Sequence, residues 1–303
     1  MLDNSFMEWG LNCGRLFGIR IKLHWAFVLF ILFAMVRADD KQFEGVYLIV
    51  LFLSVLLHEF GHCFAARHFG QNPDRILLWP LGGLAYVGGA KDAREDFWVA
   101  FFGPFVQLVI GTVVGLWLYF HGAVFQFNLD ILRPVLVQMP LQQINGTMWD
   151  WFLPLVFGVQ LWLFAFNVFL PAYPLDGGRM LVAATLGRLG PMKASGLAMM
   201  MSLICGVYLM ARRDMENGSI CALFLLCEAA MLYQYRITGA IFQHPAFSHT
   251  SRPIFGNKPK RSAKPSRSKE VPHLRLVESK QCPQCGRSLP MSAKMCGFCE
   301  ISV

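Results

Sequence analysis

Charge is the scarcest property of this chain. Asp, Glu, Lys and Arg make up 15% of its 303 residues and hydrophobic residues 55%, a balance that argues against an ordinary soluble domain, where about a quarter of residues are charged. Amphipathic spacing is missing too, because the apolar residues are bunched into runs instead of recurring every third and fourth position. A cleavable signal peptide is not expected, since Asp3 and Glu8 stand near the amino terminus and no small-residue cleavage site precedes the first run. Five of the nine cysteines (Cys13, Cys63, Cys205, Cys221 and Cys227) show no pairing pattern and read as apolar filler.

What is present is a series of runs long enough to cross a bilayer. Spans are expected near residues 23–36 (short, extended toward Ile19 if tilted), 46–69, 97–120, 153–171, 192–210 and 220–235. Six spans leave both termini on one side. Arg15, Arg20 and Lys22 precede the first span, Arg67, Arg75, Lys91 and Arg94 follow the second, and Arg179, Arg188 and Lys193 follow the fourth. The opposite loops are sparser, with Arg212 and Arg213 dissenting. Positive charge favours the cytoplasmic face, so both termini are expected there.

Inside the second run stands His58-Glu59-Phe60-Gly61-His62. On a helix, side chains four residues apart share a face, so the two imidazoles can hold one zinc while Glu59 beside them takes a proton from water. Ionisable residues at bilayer depth are costly and mark a functional site by default. The bland alternative is a pair of interfacial histidines near a helix end.

Such a zinc needs a third protein ligand, and the candidates are His68, Glu95, Asp96 and Asp176. His68 lies six residues beyond His62, and with Ala65 where a turning glycine would be needed it points off the metal face. Glu95 and Asp96 sit at the mouth of the third span, where acidic residues favour a helix N-terminus anyway. Asp176 follows Pro171 and Pro174, which break the fourth span, and precedes Gly177 and Gly178, which let the chain turn at the level where the His58 helix ends. Irregular backbone at that depth is tolerated where it lines a wet cavity, so Asp176 is the choice.

Together these residues resemble the site-2 protease family of intramembrane zinc metalloproteases. The resemblance covers about residues 15–235 and is carried by His58, Glu59 and His62, by residues 171–179 with their Leu175-Asp176-Gly177, by Leu23-His24-Trp25, and by Pro80-Leu81-Gly82-Gly83-Leu84-Ala85. It implies that His58, His62 and Asp176 are zinc ligands and Glu59 the general base. It implies a substrate anchored in the membrane and cut at or within its transmembrane segment, in regulated intramembrane proteolysis. The chain is similar to the bacterial branch without an inserted PDZ domain, which implies a bacterial inner (plasma) membrane; nothing resembles a CBS pair.

Other polar residues fall in apolar runs. Residues 76–89 read as two short strands, a membrane-associated β-hairpin whose edge could add a substrate strand; a purely structural hairpin is the alternative. Gly103, Gln107, Gly111 and Gly115 form a small-residue stripe suited to close packing. Where relatives often carry Gly-Pro-x-x-Asn, this chain has Gln107. Gln160 and Asn167, two turns apart, could turn their amides to the zinc cavity and, with Gln107, position substrate; interhelical hydrogen bonding is their plainer role. His24 reads as an interfacial anchor, and Glu228 as a partner of Arg236 or a group facing a wet crevice.

The net charge of +8 is concentrated late, with 12 of the 27 Lys and Arg from Arg236 onward, which suits a tail held against anionic lipid. Residues 245–280 turn to Ser, Pro, Lys and Arg, too polar for a core. Beyond them stand Cys282, Cys285, Cys296 and Cys299, two C-x-x-C pairs ten residues apart, the signature of a four-cysteine structural zinc ribbon. About twenty residues cannot fold on an apolar core, so metal must supply the stability. A redox dithiol pair is the competing reading.

The expectation is therefore an all-α polytopic membrane protein of about six transmembrane helices with a short membrane-associated β-hairpin. Residues 1–240 form the metalloprotease domain, 241–280 a flexible basic linker and 281–303 the ribbon, with one catalytic and one structural Zn2+. Expected partners are the lipid bilayer, a membrane-anchored protein substrate and a protein bound by the ribbon; nucleic acid is the weaker option. The rival from another class is a proteolytically silent membrane adaptor, against which stands the retention of a general base. A zinc transporter would need metal-binding residues spread across several spans, whereas here they cluster at one level.

Overall fold

The computed structural model describes residues 10–79, 82–86, 90–127, 135–138, 149–211, 218–244, 246–247, 279–282 and 288–290. Residues 248–278 of the expected linker, and Cys285, Cys296 and Cys299 of the expected ribbon, lie outside the described residues.

The chain begins with two antiparallel strands, β1 (Gly10–Leu16) and β2 (Ile19–His24). In β2, Ile19 and Ile21 are buried while the alternating Arg20 and Lys22 are not, the period-two pattern of a half-buried strand. His24 then ends the strand and starts α1 (Trp25–Arg37), its Nδ1 accepting from the Ala26 N–H at 3.1 Å. His24 is thus a buried helix cap. At 13 residues and 1.5 Å per residue, α1 is about 20 Å long against about 30 Å of hydrocarbon.

Four helices are long and apolar enough to cross a membrane among the described residues. They are α2 (Lys41–His68), α3 (Ala93–Phe120), α4 (Trp149–Phe169) and α5 (Asp176–Ala211). The last helix, α6 (Gly218–Ile237), is not among them. Each of the six expected spans falls on a helix: four on these long apolar helices, the first on the short α1 and the sixth on α6. α5 is two helices across a kink at Gly190 (φ 73°) and Pro191. The side chain of Arg236 on α6 donates to Met192 O and to Ser195 Oγ just past that kink, so Arg236 does not pair with Glu228.

Between α2 and α3 the chain forms β3 (Arg75–Trp79) and β4 (Gly82–Tyr86), paired antiparallel. They are not an isolated hairpin. β3 also pairs in parallel with β2, giving a four-stranded sheet in the order β1-β2-β3-β4 with β4 at one edge. Ile19 and Ile21 from β2 and Ile76 and Leu78 from β3 pack with Leu56, Phe60 and Cys63 of α2, which fixes the sheet against the helix that carries both histidines.

The small-residue stripe serves packing. A Cβ on Gly115 would come within 2.7 Å of the Phe157 ring of α4. A second short pair, β5 (Val124–Phe127) with β6 (Val135–Gln138), follows α3. Toward the carboxyl end, β7 (Ser279–Gln281) pairs antiparallel with β8 (Ser288–Pro290). Cys282 directly follows β7 and is buried.

Candidate metal centre

His58 and His62 lie in the C-terminal half of α2, one turn apart, with ring centroids 4.7 Å apart and planes at 87°. Their Nε2 atoms are 3.1 Å from each other. Asp176 arrives from the first turn of α5, placing Oδ2 3.0 Å from His58 Nε2 and 3.3 Å from His62 Nε2. Glu59 completes the cluster, its carboxylate within 4.8 Å of both imidazoles' ligand atoms. His58, Glu59, His62 and Asp176 are each only 4–6% exposed.

The chain reaches this arrangement through its breaks. α4 ends at Phe169, and the segment through Pro171 and the cis Tyr173-Pro174 bond leads directly into α5 at Asp176. Ser202 of α5 donates to Tyr173 O at 2.9 Å, satisfying one carbonyl of this irregular stretch.

The donor set fits zinc. Three ligands of a tetrahedral zinc at 2.0–2.1 Å stand about 3.3 Å apart, and the three atoms here are separated by 3.0, 3.1 and 3.3 Å. His62 Nδ1 lies 2.7 Å from Val99 O. A carbonyl can only accept, so Nδ1 carries the proton and Nε2 presents its lone pair to the centre, the tautomer a metal ligand requires. His58 Nδ1 is buried without a hydrogen-bond partner among the described residues.

Two glycines make the room. A Cβ on Gly103 of α3 would lie 2.4 Å from His62 Nε2 and 2.9 Å from His58 Nε2, so only a bare backbone fits against the imidazoles. On the other side, a Cβ on Gly83 of β4 would lie 2.3 Å from Glu59 Cγ and 2.5 Å from Oε1. The edge strand thus rests on the carboxylate.

The remaining candidates fall elsewhere. His68 is exposed, edge-on to Phe69 at 5.4 Å. Glu95 caps the start of α3, with Oε2 accepting from Lys91 N at 3.0 Å. Asp96 is buried but pairs with Arg179 at 2.7 Å instead of joining the donors. Gln107 and Gln160 converge on Ser54, one turn before His58: Gln107 donates to its carbonyl at 2.9 Å and Gln160 to its hydroxyl at 2.7 Å. Asn167 donates back to Leu163 O of its own helix at 3.0 Å. Cys282 is buried.

Three contributors escaped the sequence reading. Ser54 is a bare serine in an apolar run, and the Val99 carbonyl has no side-chain signature at all. Arg179 had a local signal, the i,i+3 spacing from Asp176.

A membrane-spanning helical chain with a buried His-Glu-His cluster and a converging carboxylate defines the class, a metal-centred integral membrane protein. Residues 46–209 match the profile of Peptidase family M50, and the chain belongs to that family. It is 31% identical over 195 residues to the zinc metalloprotease MJ0392 of Methanocaldococcus jannaschii, covering 63% of this chain and 50% of that one. It is 29% identical over 207 residues to the putative zinc metalloprotease Rip3 of Mycobacterium tuberculosis, covering 63% and 47%. The chain spans about half the length of these curated relatives. Among solved structures it is similar to the site-2 protease from Methanocaldococcus jannaschii, with a TM-score of 0.48 at 24% identity over 76% of this chain and 94% of that one.

Proposed function

We propose that this chain is an intramembrane zinc metalloendopeptidase that hydrolyses a peptide bond in or near the transmembrane segment of a membrane-anchored protein, as in regulated intramembrane proteolysis. The observation that carries the reading is the meeting of His58, His62 and Asp176 within 3.3 Å of one another beside Glu59, at the end of a helix apolar enough to span a membrane. Membership of a peptidase family, with relatives named as zinc metalloproteases, supports it.

His58, His62 and Asp176 hold the metal in this reading. Zinc, when bound there, supplies a Lewis acid that polarises the scissile carbonyl and acidifies water. Glu59 takes the proton from the attacking water and returns it to the leaving amine. The backbone of Gly83 against Glu59 holds that carboxylate in place and excludes bulk water.

A helical substrate hides its carbonyls in its own hydrogen bonds and must unwind before attack. The edge strand β4, whose inner partner is β3, can receive the unwound segment by strand addition next to Glu59. Gln107 and Gln160 act at one remove, fixing α3 and α4 on α2 through Ser54, and Asn167 lies on the same face of α4 as Gln160.

The second zinc belongs to Cys282, Cys285, Cys296 and Cys299, a reading supported by the strands that flank the first C-x-x-C. Such a ribbon offers a surface for a protein partner, on the cytoplasmic side where the positive-inside bias places both termini.

The test is cleavage of a panel of single-span substrates by the purified full chain in liposomes. Metal-dependent cutting by the wild type, abolished in Glu59→Gln while the zinc content stays unchanged, is the expected result. Cutting that persists in Glu59→Gln, or that ignores a chelator, rejects the mechanism.

A further inference from the structure

Arg179 presents the centre with a difficulty. Its guanidinium stands in the first turn of α5, three residues from Asp176, with Nη1 3.6 Å from Asp176 Oδ1. A guanidinium engages carboxylates as a two-pronged fork. Free to close on Asp176, it would take both oxygens and withdraw the negative charge from the histidine pair. It does not close. Its Nη2 donates instead to Asp96 Oδ1 at 2.7 Å, and at 3.6 Å the contact with Asp176 Oδ1 stays beyond hydrogen-bonding distance. Oδ2 is left facing the two imidazoles at 3.0 and 3.3 Å.

Asp96 is well placed for this. It is held in the first turn of α3, whose N-terminus favours a carboxylate, and is buried. Three residues later on the same helix, Val99 O accepts from His62 Nδ1 at 2.7 Å. The start of α3 therefore touches the donor set twice without contributing to it, once through Val99 on His62 and once through Asp96 and Arg179 on Asp176.

We propose that Asp96 is a positioning residue for the metal centre, which holds the Arg179 guanidinium back from forking onto Asp176 and so leaves Asp176 Oδ2 for the cation. The proposal rests on the reading of Asp176 as a metal donor. It makes Asp96 and Arg179 antagonists: removing the restraint exposes Asp176 to capture, and removing the guanidinium as well abolishes the need for it.

The experiment measures zinc affinity of the full chain by competition with a metallochromic chelator. The zinc lost in His58→Ala marks the His-Asp site apart from the ribbon. Asp96→Asn is expected to weaken binding there about 10- to 100-fold, the usual effect of losing an outer-shell partner. Asp96→Glu, which keeps the carboxylate, recovers much of the loss. The double variant Asp96→Asn/Arg179→Gln binds more tightly than Asp96→Asn alone, and Arg179→Gln alone stays close to wild type.

A double variant no better than Asp96→Asn, or an Arg179→Gln as weak as Asp96→Asn, means that the pair merely holds α3 to α5, and overturns the proposal. The same holds if Asp96→Asn binds zinc normally. If Asp96→Asn does not fold, Arg179→Gln against wild type decides by the same criterion. Asp176→Ala separates the two levels: if it retains site zinc, the donor reading itself fails; if it loses zinc while Asp96→Asn does not, only the restraint is wrong.

Discussion

Gly103 and His62 are in contact where no side chain could be tolerated: a Cβ on Gly103 would sit 2.3 Å from His62 Cε1 and 2.4 Å from Nε2. The contact belongs to a close crossing of α2 and α3, since a Cβ on Gly61 would in turn lie 2.5 Å from Phe102 O. The stacking of two helices is thereby coupled to the orientation of an imidazole.

Gly103→Ala should therefore act on the metal centre more than on the fold. One methyl group there forces His62 away from Asp176 or moves α3. A displacement near 1 Å costs about 100-fold in rate, so cleavage should fall by about that factor with loss of site zinc and little change in helicity. Zinc content and circular dichroism of the purified variant check this, and a fully zinc-loaded, active Gly103→Ala would contradict it.

Gly83→Ala should strike the base and spare the ligands. The new Cβ would press on Glu59 Cγ and Oε1, not on an imidazole. The expected outcome is a large fall in kcat, on the order of that caused by removing a general base, 10²- to 10⁴-fold, with zinc retained. Parallel measurement of zinc content and single-turnover cleavage distinguishes this variant from Gly103→Ala.

Ser54→Ala removes the hydroxyl that accepts from Gln160 and leaves the backbone carbonyl that accepts from Gln107. Interhelical hydrogen bonds in membranes are worth about 0.6 kcal/mol on average and up to about 1.7 kcal/mol. Loss of stability in that range, with zinc binding intact, is expected in a mixed-micelle unfolding titration; zinc loss would place Ser54 closer to the chemistry.

The segment after α6 should undock in acid. His244 packs edge-on to Tyr173 at 5.8 Å and Tyr235 at 5.0 Å, and against Phe247 at 5.3 Å, and burial pushes its pKa down from 6.5 to about 4. Undocked, the imidazole binds its proton near 6.5; docked, only near 4. Between these values the undocked state holds more protons, so docking weakens as pH falls through that window and is fully present above it. Protection of the amides across residues 240–247, taken as the ratio of intrinsic to observed exchange rate at each pH, should fall from pH 7 to pH 5, and His244→Phe should flatten the dependence.

The elements that sequence made legible are those set by local rules. An apolar run fixes a helix and its membrane setting through length alone, and α2, α3 and α4 fall where the runs predicted. The i,i+4 spacing puts His58 and His62 on one face in any helix. Errors lie where local pattern is ambiguous. Ile19 to His24 reads in sequence only as an optional extension of the first span, because six residues of alternating apolar and basic side chains do not by themselves reveal that β1 and β3 pair on either side of them. The hairpin was seen without its sheet, because the parallel pairing of β2 with β3 joins segments with all of α1 and α2 between them.

What sequence determined by itself is the helical membrane chassis and two zinc-type donors with a carboxylate beside them, since both follow from spacing along one chain. Tertiary structure decided which carboxylate meets those donors. Asp176 lies 118 residues from His58, and sequence alone offers Glu95 and Asp96 beside it. The choice depends on a helix crossing narrow enough at Gly61 and Gly103 to bring α3 against the histidines, while Asp96 pairs with Arg179 and Asp176 faces the imidazoles. Close approach of backbones and competition between charges are set by distance in space, for which separation along the chain is no measure.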